Sequence, residues 1–181
     1  MSDPLYSYPL RVDSLPARKP TRFDLTPDTD ALARIAEALA ILGIDKLRFR
    51  GELRPAGRRD WILEADLGAT VRQACVVTLA PVSTRIEEAV TRRYLSSFTE
   101  PEGEEVEMPD ETIEPLPAVI DPGAVMIEAL ALALPPFPRA DGAEFDGAEA
   151  VAPGAEPITD ADVTRPFAGL AELMKKRPPD N

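Results

Sequence analysis

The strongest structural signal in this chain is a pair of alternating runs joined by a short break. Leu47, Phe49 and Leu53 alternate with Lys46, Arg48, Arg50, Glu52 and Arg54. Trp61, Leu63, Ala65, Leu67, Ala69 and Val71 then return, with Glu64, Asp66 and Arg72 on the opposite parity. Successive side chains of a strand point to opposite faces, so each run predicts a half-buried strand. Pro55 to Asp60 predicts the turn between them, which makes the pair a hairpin. One face must meet a core, and the other must carry the charges. Glu64 and Asp66 are placed to pair across the hairpin with its arginines.

Other elements follow from local chemistry. Tyr6, Tyr8, Leu10 and Val12 alternate and predict a strand, as do Thr21, Phe23 and Leu25. A helix is expected over residues 27–42. Thr26 is its expected N-cap, with Pro27 in the first position and Asp28 and Asp30 facing the positive end of the dipole. Leu32, Ile35, Ala36, Leu39 and Leu42 form its apolar stripe, and Gly43 is the expected left-handed stop. Residues 82–95 fit either period. Val82, Ile86, Val90 and Tyr94 suit a helix, but the density of β-branched residues favours a strand. Leu116 to Ile120 predicts a short extended piece. Asp121 then caps a second helix over residues 122–134, apolar nearly all round and so expected to be buried. Pro135, Pro136 and Pro138 end it. The expected fold is α+β: a mainly antiparallel, curved sheet or partial barrel covered by two principal helices.

Charge is distributed unevenly along the 181 residues. The net charge of −12 hides a body, residues 1–99, with 15 basic and 13 acidic side chains. Residues 100–162 hold 17 acidic and 1 basic. Like-charged blocks are usually solvated, so an acidic loop is expected over 99–114 and a disordered acidic linker over 140–160. Phe167, Leu170, Leu173 and Met174 predict a short C-terminal helix that docks on the body. The expected division is a domain over 1–139, the linker, and the C-terminal element over 161–181.

Several kinds of chemistry find no support. The chain has no histidine, which removes the commonest general base and metal ligand. Its single cysteine, Cys75, lies among apolar residues and is expected to be a buried structural side chain, unable to form an internal disulfide. Phosphate-loop, dinucleotide-binding and nucleophile-elbow patterns are missing. No enzyme, cofactor, metal site or small-molecule substrate is expected. The longest apolar stretch, 124–134, contains Glu128 and is shorter than the roughly 20 residues a bilayer span needs. With no signal peptide visible in MSDPLYSYPLRVDS, a soluble cytoplasmic protein without membrane contact is expected.

Two charged surfaces remain as candidates. Lys46, Arg48, Arg50, Arg54, Arg58 and Arg59 on the hairpin and its turn could contact phosphates, for which the arginine fork is suited. The plainer alternative is a solvated strand face neutralised by Asp60, Glu64 and Asp66. Phe49 and Trp61 are expected to face the core, leaving no aromatic platform for bases. Glu102, Glu104, Glu105 and Glu107 could hold a basic partner.

The order of four segments adds a resemblance. LGATVRQAC leads into CVVTLAPV, then IEEAVTRRYL, then IDPGAVMIEALALALPPFP, with RPFAGLAELMKK closing the chain. This resembles the bacterial YceD family, also called DUF177, the large ribosomal RNA subunit accumulation proteins. Its signature positions here are Cys75, Thr78 and Pro81. Many members carry Cys-x-x-Cys at the centre and a further cysteine after the Leu-Pro segment. This chain has Thr78 and the run Pro138-Arg139-Ala140-Asp141 instead, so no metal or redox role transfers. The resemblance implies a non-enzymatic role in 23S rRNA accumulation and large-subunit assembly. Implied partners are 23S rRNA, a pre-50S particle, or ribosomal protein L32, beside which members are often encoded.

Overall fold

The computed structural model describes residues 4–57, 59–97 and 112–144. The hairpin is its centre. β3, Gly43–Ala56, pairs antiparallel along its length with β4, Asp60–Ala74. The buried side chains are those the alternation selects: Leu47, Phe49 and Leu53 on β3, and Trp61, Leu63, Ala65, Leu67, Ala69 and Val71 on β4. The strands run further than expected. Pro55 pairs with Trp61 and Ala56 with Asp60, so only residues 57–59 turn, around Gly57 at φ 61°.

The register shifts once, at Asp45, between Ile44 and Lys46. Such a bulge sets two residues against one. It lets Ile44 and Leu47 both reach the core although their spacing is odd.

β2, Thr21–Leu25, adds to one side of β3, and β5, Pro81–Leu95, adds to β4. Residues 82–95 are therefore a strand, as the β-branched content favours. β6, Ile113–Pro115, joins β5 in parallel and closes the order β2-β3-β4-β5-β6. The expected partial barrel is not formed. The sheet is open, because β2 is only five residues long and meets β3 alone. β1, Leu10–Arg11, and β7, Val119–Ile120, make a separate two-stranded ribbon.

α1, Thr29–Ala38, packs on β3 through Ile35 and Ala36, and α2, Pro122–Ala133, packs on β4 and β5 through Val125, Met126, Ala129 and Leu130. One close approach sits beneath them. Phe23 and Phe49 tilt together at 5.6 Å between ring centroids. Gly51, opposite Phe23, passes so near β4 that a Cβ there would lie 2.2 Å from the Glu64 carbonyl oxygen.

Three boundaries differ from expectation. Asp28, not Thr26, caps α1: its Oδ1 accepts the Ala31 N–H at 2.8 Å. The helix also ends early. Ile41 donates to Ala36 O and Ala40 to Glu37 O, a Schellman closure with Ala40 in the left-handed region at φ 52°. Gly43 is left free to begin β3. The expected strand at Tyr6 to Val12 shrinks to Leu10–Arg11 and then coils into a 3-10 turn, Val12–Ser14. Its first residues are held elsewhere. The Asp121 carboxylate caps α2 by accepting from Gly123 N–H at 2.8 Å, and also accepts from Tyr8 N–H at 2.8 Å and Ser7 Oγ at 2.5 Å.

Asp121 and Pro122 begin α2 as expected, but the helix is buried on one side only: Leu132 is 76% exposed. Of the acidic loop expected over 99–114, residues 99–111 lie outside the described residues, and Ile113 and Glu114 at its end belong instead to β6. The linker from 145 and the C-terminal helix also lie outside them.

Candidate nucleic-acid interface

The outer face of the sheet carries side chains that the pleat turns away from the helices. On β3 these are Lys46, Arg48, Arg50, Glu52 and Arg54. The register sets Lys46, Arg48 and Arg50 opposite Thr70, Gly68 and Asp66 of β4, and these opposite Arg85, Glu87 and Ala89 of β5. Gly68 and Ala89 contribute little bulk at the centre of this grid. A hollow of about 810 Å³ results, lined by Lys46, Arg48, Arg50, Gly68, Arg85 and Glu87 among others. A second hollow of about 690 Å³ lies over Gly51, between β2 and β4. Arg50 and Asp66 line both.

Most cations on this face are already engaged. Arg48 forks onto Asp24, with Nε to Oδ1 at 2.8 Å and Nη2 to Oδ2 at 2.5 Å. That hydrogen bond, first among the causes, holds the Asp24 carboxyl below its ordinary value, and Arg50 adds a weaker pull. Arg54 forks in the same way onto Glu64 at 2.9 and 3.0 Å, which lowers the Glu64 pKa. Arg22 meets Glu52, Arg72 meets Asp45, and Arg85 meets Glu87. The expected neutralisation is thus partly realised: Glu64 takes Arg54 as expected, while Asp24, Asp45, Glu52 and Glu87 hold other arginines. Asp60 turns away to accept Ser96 N–H and Oγ at 2.8 and 2.9 Å, tying down the end of β5. Asp66 stands opposite Arg50 and makes no ion pair among the described residues.

Of the six cations singled out in the sequence, Lys46, Arg50 and Arg59 make no ion pair among the described residues. Arg58 lies outside those residues, as do Glu102, Glu104, Glu105 and Glu107. Phe49 and Trp61 are buried on the other face.

The Cys75 loop is more polar than its neighbours suggest. The side chain is buried and reduced. Its Sγ accepts N–H bonds from Val77 and Thr78 at 3.4 Å and from Ala140 at 3.3 Å. The Thr78 side chain, then the Ala140 and Thr78 amides, hold the thiol pKa down at about 6. The main chains are laced together as well: Val76 donates to Pro138 O, and Cys75 to Ala80 O. So Thr78 and Ala140, near the two places where many members of the resembled family carry cysteine, converge on Cys75. Apolar neighbours in the sequence concealed this cluster, because its donors are mostly main-chain N–H groups, two from the loop itself and one from Ala140, 65 residues away. Pro81 starts β5 directly after the loop. Among the described residues no three His, Cys, Asp or Glu side chains gather as metal ligands.

An open α+β sheet, two capped helices and a loop organised around Cys75 thus define a small α+β domain with two charged hollows on its outer face. Residues 63–174 match the family described as Large ribosomal RNA subunit accumulation protein YceD, and the chain belongs to that family. The match begins in β4, so it takes in the Cys75 loop, β5 and α2 but leaves out β3 and its basic residues. No curated protein and no solved structure matches significantly. None of the described helices is long and apolar enough to cross a membrane.

Proposed function

We propose that this protein is a non-enzymatic cytoplasmic factor that supports 23S rRNA accumulation and large-subunit assembly by binding rRNA, alone or in a pre-50S particle, through the outer face of β3. Family membership supports the ribosomal role. The observation that carries the surface is the state of Arg50. Among the described residues it makes no ion pair, and it borders both hollows, so its guanidinium can take a phosphate without first breaking a bridge to them. Lys46 adds a second uncommitted cation in the larger hollow. Arg48 and Arg54 must exchange a carboxylate for a phosphate and contribute less.

Binding of this kind weakens with salt in proportion to the phosphates contacted. Lys46→Glu with Arg50→Glu is expected to weaken binding to 23S rRNA fragments by about tenfold or more and to reduce the salt slope by about 1 per lost contact. Unchanged affinity and slope in a filter-binding titration would remove this face from the mechanism.

A second reading rests on the acidic residues of 100–162, where 17 acidic side chains accompany 1 basic. An acidic module of this charge suits a basic ribosomal protein such as L32, with Glu102, Glu104, Glu105 and Glu107 as its first contacts. Neutralising these four and measuring L32 recovery tests it; undiminished recovery rejects it.

A further inference from the structure

Among the described residues, β5 is paired along one side by β4 and over only three residues on the other. β4 pairs with it from Pro81 to Tyr94, while β6 covers only Arg93 to Leu95. Among the described residues, 81–91 therefore present an open edge about 37 Å long at 3.4 Å per residue. Such an edge exposes backbone donors and acceptors that template pairing with another strand.

The sequence of this edge specifies what fits it. In a two-fold antiparallel pairing with itself, opposite residues must lie on the same face, so the axis must pass through a residue. An axis at Arg85, Glu87 or Glu88 would oppose like charges. An axis at Ile86 uses residues 81–91, the whole edge. It sets Arg85 against Glu87 twice on the outer face, and Val82 against Val90 on the inner face. Among the described residues Arg85 and Glu87 pair only with each other, at 3.0 Å, 52% and 75% exposed. Beside Val90 lies a groove of about 530 Å³ whose lining includes Ala129, Leu132 and Ala133. Leu132 is 76% exposed there. Val82 of a second copy would arrive next to this apolar lining.

We infer that the open edge of β5 binds a second copy of this chain, antiparallel about Ile86, joining two five-stranded sheets into one. The interface is isologous, as closed dimers require. Lys46 and Arg50 take no part in it, although Arg85 and Glu87 border the same larger hollow.

Sedimentation of the full-length chain across the micromolar range tests the assembly. A concentration-dependent dimer is expected. Arg85→Glu alone, or Glu87→Arg alone, sets two like-charge pairs across the axis and should weaken dimerisation by about tenfold. Combining them should restore it. Both positions are exposed, and circular dichroism verifies that each variant folds. Register is read by mixing Ser83→Cys protein with Ala89→Cys protein under mild oxidation, because these positions face each other across the axis. A disulfide-linked pair should form in the mixture and in neither protein alone. A monomer at every concentration overturns the inference, as does a dimer indifferent to the charge swaps or one in which Ser83→Cys links to itself.

Discussion

Arg92 and Arg54 are the same residue on opposite faces of one sheet, and their surroundings set them apart. Arg54, on the outer face, meets Glu64 with 39% of its side chain exposed. Arg92, on the inner face beneath α2, is 15% exposed and reaches both Glu114 and Glu128. The geometry at Arg54 is the better fork, yet water competes for it and salt screens it. At Arg92 water is largely excluded, and the ion pairs tie β5 to β6 and to α2. Burial, more than hydrogen-bond geometry, decides what a charge pair holds together.

Four substitutions grade this contrast. Phe49→Ala opens a cavity in the fully buried centre and should cost about 4 kcal/mol, read from denaturant unfolding. A loss below about 1 kcal/mol would mean that the inner face is not the sealed core described here. Arg92→Ala leaves Glu114 and Glu128 without their shared cation and should cost about 2 kcal/mol.

Thr78→Val removes the largest contributor to the low Cys75 pKa. Thiolate absorbance should then titrate with a midpoint above about 6. The sign for stability follows from linkage. A thiol whose pKa is depressed on folding contributes stability that is full above the ordinary thiol value and is lost as pH falls through the folded one. Wild type should therefore gain on Thr78→Val as pH rises from about 6 toward 9. A gap that does not change over that window would show that the thiol does not titrate as described. Finally, Arg54→Gln should leave the unfolding midpoint unchanged within error at physiological salt. A clear loss there would erase the difference between the two faces.

The hairpin was legible because burial on a strand follows a period of two, and a one-residue error would move the whole apolar set to the solvent side. The caps were legible at α2, where Asp121-Pro122 leaves few alternatives. At α1 the choice between Thr26 and Asp28 depended on where the chain leaves β2, which local sequence does not encode. Ala40 in a left-handed cap was hidden for a similar reason. Gly43 was the better residue for that conformation, but pairing with Arg72 claimed it for β3. On the outer face the cations were legible and their partners were not. Arg48 takes Asp24, from a strand before α1, and Asp60 is drawn off by Ser96. Such partners are set by tertiary register. The polarity around Cys75 was the least legible feature, since main-chain N–H groups are present at every residue and give no sign of where they converge.

The carboxylate of Asp121 also bears on how the chain is made. Tyr8 waits for an acceptor 113 residues further along. At about 5–20 residues per second, ribosomal synthesis delivers that acceptor roughly 6–23 s after Tyr8 itself. The hairpin can close in the meantime from residues that are near neighbours in the chain. Tyr8 is thus made long before its acceptor, and it docks on a carboxylate that caps α2 through the neighbouring Gly123 and Ala124 N–H groups.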